Sequence, residues 1–359
     1  MLALPREYYP GSHRPDSGTA SVPMCVIRWE SAYTMTAMTS TAAGPRDPLT
    51  LPPVPHGQTA SRLEWELLPP MTRRLVEDRF GTTVVEARSA GAGYTPGLAS
   101  VLVGANGRTM FLKAASKKAQ RPFAAAYAEE IRKLRSLPSG LPIPRLLWSH
   151  EDDLWVLLAL ESIEGANPVR PWVGVELDRC LDTLQLLGQT LTPPPVHLRT
   201  FAEDFGDMVD CWDHVRRTAP DWPHLEEAAE LAVDLARATA GNTLVHTDAR
   251  DDDFLLPPTG RAYLCDWNFP VRGAAWIDTV SLLMTASGDG IDADALLASR
   301  ALTRNVAADD VDTVLALFCG YFLERRDQPS PYSSPYLRGH QDWCAEACWA
   351  WLARRRGWS

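Results

Sequence analysis

LVHTDARDDDFLLPPTGRAYLCDWN, Leu244 to Asn268, is the stretch whose reading decides the fold of this 359-residue chain. Leu244 and Val245 lead into His246 and Asp248, and Asp253 opens the apolar run Phe254-Leu255-Leu256. Pro257-Pro258-Thr259-Gly260 is a turn signal, after which Arg261 to Cys265 reads as a returning strand that delivers Asp266. Acids at opposite ends of such a hairpin can face one cavity, and the rest of the chain reads as its scaffold.

The composition sets limits on what that cavity serves. With 45% hydrophobic residues the chain can bury a core without disulfides or structural metals, as one large domain or as two lobes. A formal charge of −10 argues against a nucleic-acid binder, which needs a basic face to neutralise phosphates, and suits a cationic small molecule better. Seven cysteines form no C-x-x-C pair, which fits a reduced, cytoplasmic protein. Cys344 and Cys348 could share a helix face, where core packing is the expected role. The longest purely apolar run, Leu154 to Leu160, is too short to span a bilayer. Monomer and homodimer both stay open.

Outward from the hairpin toward the N-terminus, residues 1–58 are rich in Pro, Ser, Thr and Gly and read as a disordered extension, with Met24, Met35 and Met38 leaving a later natural start open. The spacing of Trp65, Leu67, Leu68, Met71, Leu75 and Val76 predicts a helix that ends before Phe80-Gly81. Strands are expected at Thr82 to Ala87, Leu98 to Val103 and Arg108 to Ala114, the last pair joined by the turn Ala105-Asn106-Gly107. Between the first two lies Ser89 to Gly97. Its Gly91, Gly93 and Gly97 permit the close backbone approach of a phosphate-covering loop, though glycine-rich hairpins are also common without a ligand. Lys113 sits inside the apolar run Met110-Phe111-Leu112, an unusual place unless its ammonium has a partner; the other reading is an edge lysine reaching to water. On the predicted helix Phe123 to Leu137 the natural partner is Glu130, with Glu129 its rival. Strands at Arg145 to Trp148 and Leu154 to Glu161 follow, the second apolar throughout and therefore interior.

From about residue 162 the pattern turns helical, which marks a boundary between lobes. Helices are expected at Val175 to Leu191, Leu225 to Ala240, Trp276 to Ala286, Ala293 to Arg300, Val311 to Arg325 and Gly339 to Arg355. The acids between Glu203 and Glu230 read first as a solvated helix face and second as a substrate surface. Taken as chemistry, Asp248, Asp253, Asp266 and Lys113 supply hard oxygen ligands, an acid beside a nucleophile and a cation for phosphates. Phosphoryl transfer asks for that set; solvated loop acids are the plainer alternative, against which the flanking apolar strands argue.

In GAGYTPGLAS, MFLKA, AEEIRKLRSLP, IPRLLW, WVLLALESIEG, LVHTDARDDDFLL, LCDWN and RGAAWID the chain resembles the aminoglycoside phosphotransferase and choline-kinase-like branch of the protein-kinase fold, from about Trp65 to its C-terminus. The resemblance implies an α+β, bilobal protein-kinase-like fold. A small N-lobe over residues 59–161 would carry an antiparallel sheet plus a helix and bind the nucleotide, and a larger, mainly helical C-lobe over 162–359 would carry the catalytic loop and acceptor site. It implies that Lys113, paired with Glu130, holds the α- and β-phosphates of ATP, GTP not being distinguished, under the loop of Gly91, Gly93 and Tyr94. Backbone from Ala159 through Glu161 to Ile163 would meet the adenine. Asp248 would deprotonate the acceptor hydroxyl, Asp253 and Asp266 would hold Mg²⁺, Asp278 would brace the catalytic loop from behind, and His246 would pack within it.

The chain departs from the family at Asp253, where Asn is usual. A carboxylate serves Mg²⁺ as well as an amide does, but the amide donor that helps hold the catalytic Asp is lost and a negative charge is added. The expected function is ATP- and Mg²⁺-dependent O-phosphorylation of a small hydroxylated molecule, an aminoglycoside-like antibiotic or a metabolite. A catalytically impaired nucleotide binder and a kinase for a peptide natural product are the alternatives. The acceptor pocket is expected in the helical lobe, drawing on the acids of Glu203 to Glu230 and on Trp212, Trp222, Tyr321 and Trp343.

Overall fold

The computed structural model describes residues 48–50 and 59–358, so the expected disordered extension lies, apart from 48–50, outside the described residues. The first helix, α1 (Pro70–Phe80), begins at a proline, whose missing N–H is tolerated there, and stops at Gly81, left-handed with φ 76°. It is shorter than the periodicity predicts. Trp65–Leu67 form a separate 3₁₀ turn, because Pro69 and Pro70 interrupt the helix between them.

Five antiparallel strands come next: β1 (Val84–Ser89), β2 (Leu98–Gly104), β3 (Thr109–Ser116), β4 (Leu146–Glu151) and β5 (Trp155–Leu160). Their spatial order is β1-β2-β3-β5-β4. The second helix, α2 (Arg121–Leu134), lies between β3 and β4 in sequence. Period-two alternation along β3 sends Leu112 and Ala114 into a cluster with Trp65, Leu68, Val76 and Phe80, while Ala115 joins Tyr127 and Ile131 of α2 on the other face. The sheet is thus covered on both sides. That explains why β5, between β3 and β4, is apolar throughout: Val156 to Leu160 has a packed layer on each face.

After β5 the chain becomes helical, with α3 (Gly174–Thr190), α4 (Phe201–Phe205), α5 (Cys211–Thr218), α6 (Leu225–Val233) and α7 (Leu235–Ala238). The single helix expected over 225–240 is broken at Asp234, whose ψ of 6° leaves the helical range. A short strand β6 (Thr243–Val245) opens the decisive stretch. It pairs with β9 (Val271–Gly273), and between them β7 (Phe254–Leu255) pairs with β8 (Tyr263–Leu264) as the hairpin read from sequence. The remaining helices are α8 (Ile277–Gly288), α9 (Ala293–Ser299), α10 (Ala308–Arg326) and α11 (Leu337–Arg356). α10 is buried without a break from Val311 to Leu323, wrapped by α5, α6 and α11. No helix among the described residues is long and apolar enough to cross a membrane.

Candidate active site

Lys113 lies on the face of β3 turned toward α2, and there its ammonium is buried. Nζ donates to both carboxylate oxygens of Glu130, at 2.8 and 2.9 Å, and to Oδ1 of Asp266. Glu130, not Glu129, is the partner; Glu129 points outward and pairs with Arg132. Burial alone would discharge the ammonium, but Asp266 and Glu130 outweigh it and hold Lys113 protonated well above the ordinary lysine range. Burial works against the Asp266 anion too, and Lys113 prevails there, holding that carboxyl low.

The loop after β6 is held from behind and from within. Asp278, at the start of α8, accepts the backbone N–H groups of His246 and Thr247, each at 2.7 Å. His246 is pushed down to about 4 by burial and is neutral at pH 7. Its Nε2 donates to the Cys265 carbonyl at 2.7 Å, which leaves Nδ1 to accept the Asp248 N–H at 3.3 Å. Thr247 and Asp266 are left-handed, with φ of 70° and 62°. For residues carrying a Cβ that conformation costs roughly 1–3 kcal/mol each, and it persists only where surrounding bonds over-determine it, here those to Asp278 and from Thr247 Oγ1 to the Phe269 carbonyl.

A buried arginine that the sequence reading did not single out organises the acids. Arg250 donates Nη1 to Asp248 Oδ1 at 2.7 Å, and Nε and Nη2 to the two oxygens of Asp252 at 2.9 and 3.0 Å. Its Nη2 also stands 3.4 Å from Asp253 Oδ2. Arg170, likewise unforeseen, pairs with Asp251 at 2.9 Å and with Asp289 at 2.6 Å. Two guanidiniums thus partly offset the acid run Asp251-Asp252-Asp253, and the cluster keeps an excess of negative charge. The signal in the sequence was the placement of Arg250 amid four acids, which a charge-balance argument could have used.

A cavity of about 580 Å³ runs between the sheet and the helices, lined among others by Gly91, Gly93, Lys113, Leu160 to Gly165, Asp252 and Asp266. Of the predicted nucleotide-site residues, Gly91, Gly93, Lys113 and Glu161 reach it. Glu130 stands behind Lys113. Two expectations need correction. Ala159 does not line the cavity, because strand alternation turns it into the cluster under α1, and its backbone is paired with Leu112 and Trp148. Tyr94 does not either; its ring packs at a tilt against His340 of α11 with centroids 5.1 Å apart, and its carbonyl accepts from Ser334. Asp248 and Asp253 sit one layer from the cavity, around Arg250. Asn167 in the linker donates to the carbonyls of Asp252 and Phe254, which ties the cavity wall to that loop.

The residues fit a divalent cation by chemistry. Asp253 is 3% exposed, its Oδ2 has no hydrogen bond, and burial, with Asp252, Asp248 and Asp266 nearby, pushes its carboxyl well above the usual range despite Arg250. An orphaned buried carboxylate oxygen across a hairpin from a second carboxylate is a hard-oxygen site short of positive charge. Among the described residues no three His, Cys, Asp or Glu side chains form a ready-made cage. That suits an ion such as Mg²⁺, which takes one or two carboxylates from protein and fills its shell with phosphate and water.

The expected acceptor-pocket residues are placed elsewhere. Trp212 and Tyr321 are fully buried core, Trp212 donating Nε1 to the Ala316 carbonyl, and Trp343 is also buried. Trp222 packs edge-on against Trp349. Three acids of the 203–230 stretch act in a helix cap and in surface ion pairs: Glu203 completes a capping box with Thr200, and Asp213 and Glu226 flank Arg216.

The sequence profile of the phosphotransferase enzyme family matches residues 96–309, more than half of the chain. No curated protein matches the sequence. Among solved structures, a choline kinase from Streptococcus pneumoniae superposes with a TM-score of 0.54 at 14% identity, covering 78% of this chain and 99% of that one. A thermostable mutant of an aminoglycoside phosphotransferase, in a ternary complex with AMP-PNP and hygromycin B, gives 0.55 at 14% identity, over 80% and 99% of the two chains. A macrolide 2'-phosphotransferase gives 0.51 at 18% identity, over 79% and 95%. At these identities the likeness establishes the bilobal, protein-kinase-like fold.

Proposed function

The chain belongs to the phosphotransferase enzyme family, and from that premise we propose that it transfers the γ-phosphoryl group of ATP to a hydroxyl oxygen of a small molecule. The observation that carries the reading is Lys113, buried and protonated on the cavity wall between Glu130 and Asp266. A buried, doubly paired ammonium facing a cavity is a costly arrangement for structure alone, and a phosphate-binding cation gives it a purpose. In this reading residues 59–161 form the nucleotide lobe and 162–359 the lobe that presents the acceptor. Lys113 receives the α- and β-phosphates, and the segment Glu161 to Ile163 lies against the base.

Asp248 then takes the proton of the acceptor hydroxyl as its oxygen bonds to the γ-phosphorus, and the bond from that phosphorus to the bridging oxygen of ADP breaks. Asp266 and Asp253 would hold Mg²⁺, which when bound neutralises charge on the phosphates. Arg250 orients Asp248 through its 2.7 Å contact. The neighbouring structures bound to hygromycin B and spectinomycin support a small polar acceptor. Transfer of labelled phosphate from ATP across a panel of aminoglycosides, choline-like amino alcohols and macrolides tests the proposal. Asp248→Ala should lower kcat about 10²- to 10⁴-fold, and full activity in that variant would refute the assignment.

A second reading, a nucleotide-binding relative without transfer, is favoured by the carboxylate at Asp253 and by the grip of Arg250 on Asp248. Calorimetry separates the two: Mg-ATP binding without turnover, with turnover gained in Asp253→Asn, belongs to the second reading, and robust wild-type turnover eliminates it.

A further inference from the structure

The glycine-rich loop is built the reverse way from what its composition suggests. Arg62, in the segment before α1, lines the cavity together with Lys113 and Asp266. Its Nη1 donates to the Thr95 carbonyl at 2.7 Å, and its Nη2 to the Gly93 carbonyl at 3.1 Å and to that of Ala92. Thr59 Oγ1 bonds the carbonyls of Gly91 and Gly93, and the Leu63 N–H bonds that of Pro96. In a trans peptide the C=O and the following N–H point opposite ways, so the amides of Gly93 and Tyr94 are turned away from the guanidinium. On its Arg62 side the loop offers carbonyl oxygens, which repel phosphate. Gly93 has φ 80°, which strains any residue with a side chain, and an added Cβ would also stand a tight 3.1 Å from Arg62 Nη2.

We infer that Arg62 is a second phosphate-binding cation of the cavity beside Lys113, and that it stands in for the amide cradle this loop does not turn toward it. The inference rests on reading the cavity as a nucleotide site. Its three carbonyl partners are neutral and do not cancel its charge, and a guanidinium has five N–H donors, of which three carbonyls engage three. Two cations on separate elements can grip different phosphates of one chain, which a point charge on β3 alone cannot do.

The test is calorimetric titration of the intact chain with ATP, adenosine and inorganic tripolyphosphate, in the wild type, Arg62→Met and Arg62→Lys. Arg62→Met should weaken ATP and tripolyphosphate about ten- to a hundredfold and leave adenosine unchanged, with Arg62→Lys losing less because the charge remains. Equal weakening of adenosine would show a loop brace only and overturn the inference, as would tripolyphosphate binding unaltered by Arg62→Met. Wild-type binding of tripolyphosphate without adenosine, still sensitive to Arg62, would remove the nucleotide reading and leave Arg62 standing. A wild type that binds none of the three overturns both.

Discussion

Replacing Arg250 by Met removes the cation from three acids at once, while its apolar stem is kept. Four contacts disappear: 2.7 Å to Asp248, 2.9 and 3.0 Å to Asp252, and 3.4 Å to Asp253. These carboxylates are buried, with side-chain exposures of 13, 16 and 4%, so water cannot take over the neutralisation. Removing one partner of a buried ion pair costs about 3–5 kcal/mol, and with three acids sharing one guanidinium the upper end applies. In a chain of this size each kcal/mol lowers Tm by about 2 °C, so scanning calorimetry at neutral pH should show a fall of about 10 °C. Neutralising Asp252 and Asp253 along with the cation is a different matter, because replacing ions and counter-ion together is close to neutral and only Asp248 then stays charged. Arg250→Met combined with Asp252→Asn and Asp253→Asn should therefore recover most of the loss. A single variant with unchanged Tm, or a triple variant no better than the single, would refute the electrostatic account of this loop.

Three further outcomes follow from the same geometry. Lys113→Ala should lower kcat about a hundredfold or more in the transfer assay, while Glu130→Gln, which leaves Asp266 to hold the lysine, should cost less; equal losses would contradict the arrangement. Asp278 is pushed up to about 6 by burial, against two backbone N–H bonds. From pH ~4 to ~6 the folded chain holds a proton there that the unfolded chain has lost, so stability falls as pH rises, by about 3 kcal/mol. Asp278→Asn should flatten that slope in calorimetric scans while lowering Tm throughout, because its amide accepts only one of the two N–H groups cleanly; a slope unchanged from wild type would contradict the assignment. Gly93→Ala should destabilise the chain by about 1–2 kcal/mol in urea titration, given φ 80° and the contact with Arg62, and no change would argue against the loop conformation.

What could be read in the sequence was what depends on short-range pattern. The strands, the long helices and the hairpin from Asp253 to Asp266 follow from period, turn residues and apolar runs. Lys113 stood out because a lysine among Met110, Phe111 and Leu112 conflicts with its surroundings, and helical phase pointed to Glu130. Long-range geometry stayed hidden. Which way the carbonyls of Ala92 and Gly93 turn is decided by Arg62, some thirty residues earlier, at the edge of a proline-rich stretch with no period. Tyr94 looks like a ligand residue in GAGYTPG, yet a tilted ring contact with His340 and a bond from Ser334 draw it to the far end of the chain. Arg250 was visible but unread, since attention to acids as ligands obscured their need for a counter-ion. Trp212 and Tyr321 were misplaced because a tryptophan or tyrosine at helical spacing looks the same in a core as in a pocket.

A crystal structure with AMP-PNP and Mg²⁺ shows whether the cavity beside Lys113 holds a nucleoside triphosphate in position for transfer. The account predicts phosphate oxygens about 3 Å from Lys113 Nζ, the metal on Asp266 and Asp253, and the base against Glu161 to Ile163. A nucleotide bound elsewhere, or phosphates that leave Lys113 paired only with Glu130 and Asp266, would contradict it.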